Sequence, residues 1–157
     1  MSEPLLQPVF GPPWSGEIIS WSDTRGQVVL RRDGKKTATV ELERCASGRL
    51  RLSYPVGARD IEVRVLELSN SAEITTALQA VVAAIRKIEP QCRKVVYVVD
   101  ADIAHMGTAA NLATIAAAEG AGFRYVLDVD VAQAELSLLV SEPEWLVDVD
   151  IDLVPGS

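Results

Sequence analysis

The spacing of apolar residues changes once along this chain, close to residue 69, and this change restricts the fold more than any other feature. Up to Leu68, apolar and polar residues alternate in short runs, which is typical of strands with one buried face. After Asn70, apolar residues recur every three or four positions, as in a helix with one buried side. The sequence therefore predicts an α+β fold with a mixed sheet, in which an antiparallel meander precedes the helices.

The first half of the chain is predicted to form a meander of about four or five strands over residues 16–68. The runs with the clearest alternation are Thr37–Arg44, Arg49–Tyr54 and Ile61–Leu68. In Thr37–Arg44, alternation places Glu41 and Glu43 on the solvent side. Asp33-Gly34 separates two runs and is a strong hairpin signal, because glycine accepts a positive φ.

The N-terminal residues differ in composition from the rest of the chain. Residues 1–15 hold four of the eight prolines, which predicts an extended arm there and a single domain over residues 16–157. The chain has 157 residues, the length of one ordinary domain. It lacks an apolar run of about 18 residues, so no membrane partner is expected. Its start lacks the features of a secretory signal, which predicts a cytoplasmic protein.

The second half of the chain is predicted to alternate between helices and strands. The elements are a helix that begins at Asn70 and ends before Pro90, a strand at Lys94–Val99, a helix at Ile103–Ala118, a hairpin of Phe123–Val131 and Glu135–Val140, and an edge strand at Val147–Leu153. Asn70 and Glu73 have the spacing of a capping box, in which each side chain binds a free backbone N–H. Gly120 and Gly122 are expected to end the second helix.

Charge is distributed unevenly along the chain, whose net charge is −7. Residues 25–59 hold nine Lys/Arg and three Asp/Glu, whereas residues 125–157 hold eight Asp/Glu and no Lys/Arg. The simplest interpretation is that the two regions face each other, either within the chain or across a dimer. A homodimer or another protein partner is therefore one expectation. A basic patch for nucleic acid is disfavoured, because aromatic residues are few and no stacking platform is visible.

A motif in the second half points to a known family. Asn111 is followed by Gly122-Phe123 at a distance of 11 and 12 residues. In this spacing and in the order of elements, residues 61–140 resemble the C-terminal two-thirds of the GNAT superfamily, the acetyl-CoA-dependent N-acyltransferases. The resemblance implies a GNAT-like fold, with acetyl-CoA or CoA as cofactor if catalysis is retained and no cofactor otherwise.

Three features differ from the pattern of that family. The glycine-containing loop that binds the CoA pyrophosphate corresponds to Asn70–Thr76, where the charge of Glu73 opposes phosphate. The general-acid tyrosine corresponds to Ala118, which has no proton to donate, and a meander replaces two helices that shape the acceptor site. These differences predict a GNAT-like domain with reduced or absent catalysis that acts in protein interaction or regulation. The alternative is a divergent acyl-CoA-dependent N-acyltransferase.

Two helix starts are candidates for cofactor binding through their free backbone N–H groups. The candidate residues are Ser71, Glu73, Ile74, Gly107, Thr108 and Asn111. The first three belong to the helix that follows Asn70. The others lie around the second helix, where Ala104–Ala109 matches the pyrophosphate signature of the family in all but its first position. The two alignments exclude each other, and we prefer the first helix as the equivalent of the phosphate-binding one.

The candidates for acid–base chemistry are His105, Asp100 and Asp102, at the start of the second helix. His105 is the only histidine, and an unperturbed histidine titrates near neutral pH. The three side chains are compatible with an acid–base or small metal cluster, although an aspartate helix cap explains the pattern more simply. No metal is predicted, because no obvious further ligand is present and Cys45 and Cys92 fit no metal spacing.

Overall fold

The fold is a mixed sheet with two helices, as seen in a computed structural model that describes residues 4–52, 54–100, 107–131 and 134–142. The strands are β1 (Trp14–Trp21), β2 (Arg25–Arg32), β3 (Lys35–Arg44), β4 (Ile61–Leu68), β5 (Val95–Asp100), β6 (Arg124–Val131) and β7 (Ala134–Ser141). The helices are α1 (Ile74–Ile88) and α2 (Gly107–Gly120). The predicted α+β class and the order of elements in residues 61–140 are confirmed.

The seven strands form one sheet in the order β1-β2-β3-β4-β5-β7-β6. Only β4 and β5 pair in parallel, while the other neighbours are antiparallel. The turn between β2 and β3 has positive φ at Asp33 (52°) and Gly34 (81°), so the hairpin predicted there is confirmed. None of the helices in the described ranges is long and apolar enough to span a membrane.

Both helices pack on the same face of the sheet, which we call the helix face. Leu78 and Val81 of α1 and Ala118 of α2 share one core with Val40 and Val63 of the sheet. The apolar stripe predicted for α1 is buried as expected. Arg86 and Lys87 lie in its last turn, where their positive charges stabilise the helix by interacting with the negative end of its dipole.

The segment between β3 and β4 covers part of the opposite face, and here the prediction of a strand at Arg49–Tyr54 is wrong. Cys45–Ser47 forms a short 3-10 helix, and turns follow it. Leu50 is buried whereas Leu52 is 88% exposed, although strict alternation placed them on one side. Arg49 turns inward, because its guanidinium pairs with the buried Glu62 carboxylate at 2.9 Å. The part of the meander that the structure describes therefore has four strands.

Most of the basic residues in the segment 25–59 are paired within the first 89 residues. Six of them contact glutamates there: Arg25, Arg31, Arg32, Lys36, Arg44 and Arg49. These pairs neutralise the basic segment locally. The acidic strand predicted at Val147–Leu153 lies outside the described residues, so a homodimer or another protein partner stays a prediction.

Residues Pro4–Pro13, which we call the N-terminal strap, lie against the sheet, and β1 already begins at Trp14. Leu5 is 4% exposed and belongs to the core of the helix face. Its N–H donates to Asp23 O at 2.7 Å, and its carbonyl accepts from Trp21 Nε1 at 2.9 Å. The described part of the predicted arm is thus attached through both backbone and side chain.

Both cysteines are buried, free thiols. Burial raises the pKa of Cys92 to about 11, and burial also raises the pKa of Cys45. Because the thiolate is the reactive form, both side chains act as small apolar groups of the core at neutral pH.

Candidate functional site

β4 and β5 pair only over their first three residues. Ile61–Val63 lies opposite Val95–Tyr97, and the described ladder between the two strands stops there. β4 nevertheless continues to Leu68 and β5 to Asp100, so the two strands separate. We call the space between Arg64–Leu68 and Val98–Asp100 the strand cleft. Backbone N–H and C=O groups along a separated edge require other partners when water is removed, which makes the cleft suited to an extended, amide-containing ligand.

A bulge in β4 lies beyond the point where its pairing with β5 ends. Val65 lies opposite Val40, but the next partner, Thr39, lies opposite Glu67, so Leu66 is an extra residue in β4. A bulge bends its strand and increases the local twist. The Leu66 side chain, at the bulge, is 46% exposed beside the cleft.

The N-terminus of α1, directly after β4, is already in contact with side chains of this chain. A 3-10 turn, Ser71–Glu73, precedes the helix, and Asn70 Oδ1 accepts a hydrogen bond from Ala72 N at 3.0 Å. The Glu73 carboxylate accepts from Thr76 Oγ1 at 3.1 Å. The predicted helix start at Asn70 is wrong, because α1 begins at Ile74 with Glu73 as its N-cap. Asn70 caps the 3-10 turn, as half of the predicted capping box, whereas Glu73 reaches forward along the helix.

The start of α1 carries the negative charge of Glu73, which is only weakly paired with an arginine. Arg32 of β2 lies 3.8 Å from the Glu73 carboxylate, and both side chains are partly exposed. The Ile74 side chain is buried in the core, so only its backbone is available to a ligand. The negative charge of Glu73 repels a phosphate at this position and opposes its binding to the backbone N–H groups.

The second candidate start, at α2, is described only in its backbone. The described helix runs from Gly107 to Gly120, while its predicted start at Ile103 lies outside the described residues. Gly122, at positive φ (97°), follows the helix end as predicted. Phe123 N donates to Ala118 O at 3.1 Å, which completes the helix end. Asp102 and His105 lie outside the described residues. The side chains of four other candidates are also not described: Ser71, Asp100, Thr108 and Asn111. Their roles stay predictions.

Ala118, the residue that corresponds to the family's tyrosine, is fully buried. We expect Ala118→Tyr to lower the free energy of unfolding by about 1–3 kcal/mol, because the phenol must be forced into a packed core. For the same reason it should not supply a proton donor. Urea denaturation measures the effect, and Ala116→Tyr on the exposed side of α2 is the control. A variant at Ala118 that is as stable as the control would show that this helix does not pack as described.

A charged cluster on the face opposite the helices was missed by the sequence prediction. Glu62 is completely buried; its Oε2 pairs with Arg49 at 2.9 Å and with Arg64 at 3.1 Å, and its Oε1 has no hydrogen-bond partner among the described residues. Glu41 is only 7% exposed, contrary to the solvent side predicted for it, because Arg64 covers it. Burial, partly offset by Arg64, raises the pKa of Glu43.

The charged residues of this cluster are visible in the sequence, but recognising that they meet requires the register between β3 and β4. Glu41 and Glu43 of β3 lie opposite Arg64 and Glu62 of β4. Glu41 and Arg64 form a cross-strand pair of opposite charge, whereas Glu43 and Glu62 carry like charge and are both paired with Arg64. Alternation within one strand assigns such residues to solvent, because it carries no information on the strand beside it.

Comparison with known proteins gives the fold its name. No protein-family model matches the sequence, and no curated protein matches it. Among solved structures, AAC(6')-Ib in complex with ribostamycin and coenzyme A aligns with a TM-score of 0.63 and 15% identity, over 79% of this chain and 67% of that chain. This chain has a GNAT-like fold. Mycobacterium smegmatis RimJ in complex with CoA-disulfide has the same GNAT-like fold, with a TM-score of 0.52, 17% identity and coverage of 79% and 56%.

This chain spans only part of the length of some proteins that it matches. An uncharacterized protein from Bacillus halodurans aligns with a TM-score of 0.62 and 18% identity, over 77% of this chain. This chain spans 60% of the length of that protein. At these identities the likeness establishes the fold, while the activity has to be argued from the site.

Proposed function

We propose that this protein binds acyl-CoA in the strand cleft and transfers the acyl group to an amine slowly, as a divergent N-acyltransferase. The observation that carries the proposal is the early end of the β4–β5 ladder, after Val63 and Tyr97. It leaves two extended backbone edges beside each other. The pantetheine arm of CoA is a narrow chain with amide groups, so it can pair with such edges as an added strand does.

The chemistry does not require the missing tyrosine. Acyl-CoA supplies an activated thioester, and its leaving group is a thiolate, which resembles that of cysteine with a pKa near 8.5. Such a group leaves without full protonation, so the absence of an acid at Ala118 lowers the rate and does not prevent transfer. The remaining contribution of the protein is positioning of the amine against the thioester, which by itself supplies much of the acceleration in many enzymes.

A non-catalytic domain for protein interaction or regulation is the second candidate. The specific observation that favours it is the start of α1, where Asn70 already accepts from the backbone N–H of Ala72 and the Glu73 carboxylate, bonded to Thr76 Oγ1, adds a negative charge. In that case neither CoA nor acyl-CoA binds, and the cleft has another occupant.

Isothermal titration calorimetry with CoA and acetyl-CoA separates the two candidates. We expect saturable binding that Leu66→Asp weakens by about tenfold, because it places a carboxylate at the cleft beside a polyanionic ligand. Leu52→Asp makes the same change at a site that is 88% exposed and outside the cleft, and should leave the affinity unchanged. If the protein binds no CoA at millimolar concentration, or if both variants behave alike, the acyltransferase proposal is wrong.

The phosphates are tested separately with Glu73→Gln. Removing this charge should tighten CoA binding by about two- to fivefold, the size of a helix-dipole interaction. Pantetheine, which lacks the nucleotide and its phosphates, should show no gain. Glu17→Gln is the matched control, since Glu17 is also a glutamate paired with one arginine, Arg31, and it lies on β1 outside the cleft. An equal gain for pantetheine would place the phosphates away from α1.

A further inference from the structure

A groove of about 570 Å³ runs between the N-terminal strap and α1. This volume lies within the range typical of small-molecule sites. Phe10 and Trp14 line one side, and the alanines Ala80, Ala83 and Ala84 of α1 line the other. Because alanine side chains are short, the helix leaves room for a ligand opposite two aromatic rings.

The groove is held open by backbone contacts at both ends of the strap. Near its start, Leu5 is buried and bonded to Asp23 O. Near its end, Asp33 N donates to Pro13 O at 2.8 Å, and Trp14 N donates to Gly11 O at 2.9 Å. A site whose walls are attached in this way loses little conformational entropy when it binds a ligand.

The charge of the groove is opposite to that of the protein. Arg32 and Lys87 line it, and no carboxylate is among its described lining residues, although the chain has a net charge of −7. The Arg32 guanidinium lies 5.8 Å from the centre of the Trp14 ring. The nearest acid in contact with these cations is Glu73, 3.8 Å from Arg32, a distance at which a partly exposed pair contributes little.

We propose that this groove is a binding site for a compact organic anion with an aromatic body. The anionic group would pair with Arg32 or Lys87, and the ring would pack between the aromatic wall and the alanines of α1. The described lining includes none of Arg64–Leu68 or Val98–Asp100, so the site is separate from the strand cleft, although Arg32 also lies beside Glu73 at the start of α1. The proposal therefore does not depend on CoA binding.

The test is a titration of the ¹⁵N-labelled full chain with 2-naphthoate, followed by NMR, with neutral 2-naphthamide as the comparison ligand. We expect saturable shifts at the Trp14 indole and the amides of Thr76–Ala84, with a dissociation constant below about 1 mM. The amide analogue should bind about tenfold more weakly, since it lacks the charge. Saturating pantetheine, which occupies the strand cleft without bringing phosphates to the start of α1, should not displace the naphthoate.

Two variants with controls complete the experiment. Ala83→Phe fills the groove and should weaken naphthoate binding by at least about tenfold. Ala116→Phe makes the same change on the exposed side of α2 and should leave the affinity unchanged. The double variant Arg32→Gln/Lys87→Gln should bind naphthoate and naphthamide equally, whereas Lys36→Gln should retain the preference. The proposal is overturned if Ala83→Phe keeps the original affinity, if the two ligands bind the unaltered protein equally, or if the shifts centre on β4 and β5.

Discussion

Replacing Arg44 with methionine is expected to lower the free energy of unfolding by about 3–5 kcal/mol, because it leaves a buried carboxylate without a counter-charge. Arg44 Nη2 lies 2.6 Å from Glu89 Oε1, and the two side chains are 1% and 3% exposed. The same guanidinium donates to Arg59 O at 2.7 Å and to Pro4 O at 2.8 Å. One side chain thus connects β3, the end of α1, the β3–β4 connection and the strap. Urea denaturation followed by circular dichroism measures the loss.

The size of this effect is checked with two comparisons. Arg124→Met removes an arginine from an exposed pair with Glu142, and should cost less than about 1 kcal/mol. The double variant Arg44→Met/Glu89→Met should recover part of the stability, because two apolar side chains replace both charges. A loss at Arg44 no larger than that at Arg124 would contradict the buried pair.

Replacing Leu5 with alanine is expected to lower the free energy of unfolding by about 2–4 kcal/mol, the usual cost of removing a buried leucine side chain. Leu5 is 4% exposed although it lies in the proline-rich terminus. The neighbouring Leu6 is 48% exposed and provides the control, since Leu6→Ala should change stability by less than about 0.5 kcal/mol. Thermal and urea unfolding of the two variants measure the difference. Equal stabilities would mean that residues before Trp14 form a loosely attached arm.

The early end of the β4–β5 ladder and the groove under the strap are separate features with separate tests. The first gives CoA a place to pair with backbone, and the calorimetric comparison of Leu66→Asp with Leu52→Asp addresses it. The second offers a cationic, aromatic site, and the naphthoate titration addresses it. Because Ala83 and Leu66 lie on different elements, a failure of one proposal leaves the other unaffected.

The order of elements and several of their ends follow from local sequence alone. The change of period near residue 69 reflects a change from strand to helix, because each structure repeats its buried face at its own interval. Asp33-Gly34 and Gly122 adopt positive φ where glycine or aspartate was expected to turn the chain. The stripe of α1 and the GNAT-like order of residues 61–140 were readable for the same reason: they depend on residues close together in the chain.

The features that bear on function were decided by tertiary structure. Leu66 is a bulge only because β3 pairs with β4 in one particular register. Glu41 is buried because Arg64 on the next strand covers it, and Arg44 meets Glu89 across 45 positions of the chain. Periodicity reports which face of an element avoids water, but it holds no information on which distant side chain will neutralise a charge or where two strands separate. For this protein the sequence by itself determined the elements of residues 61–140, their order and the β2–β3 hairpin, whereas the cleft, the charged cluster and the groove arose from packing between elements.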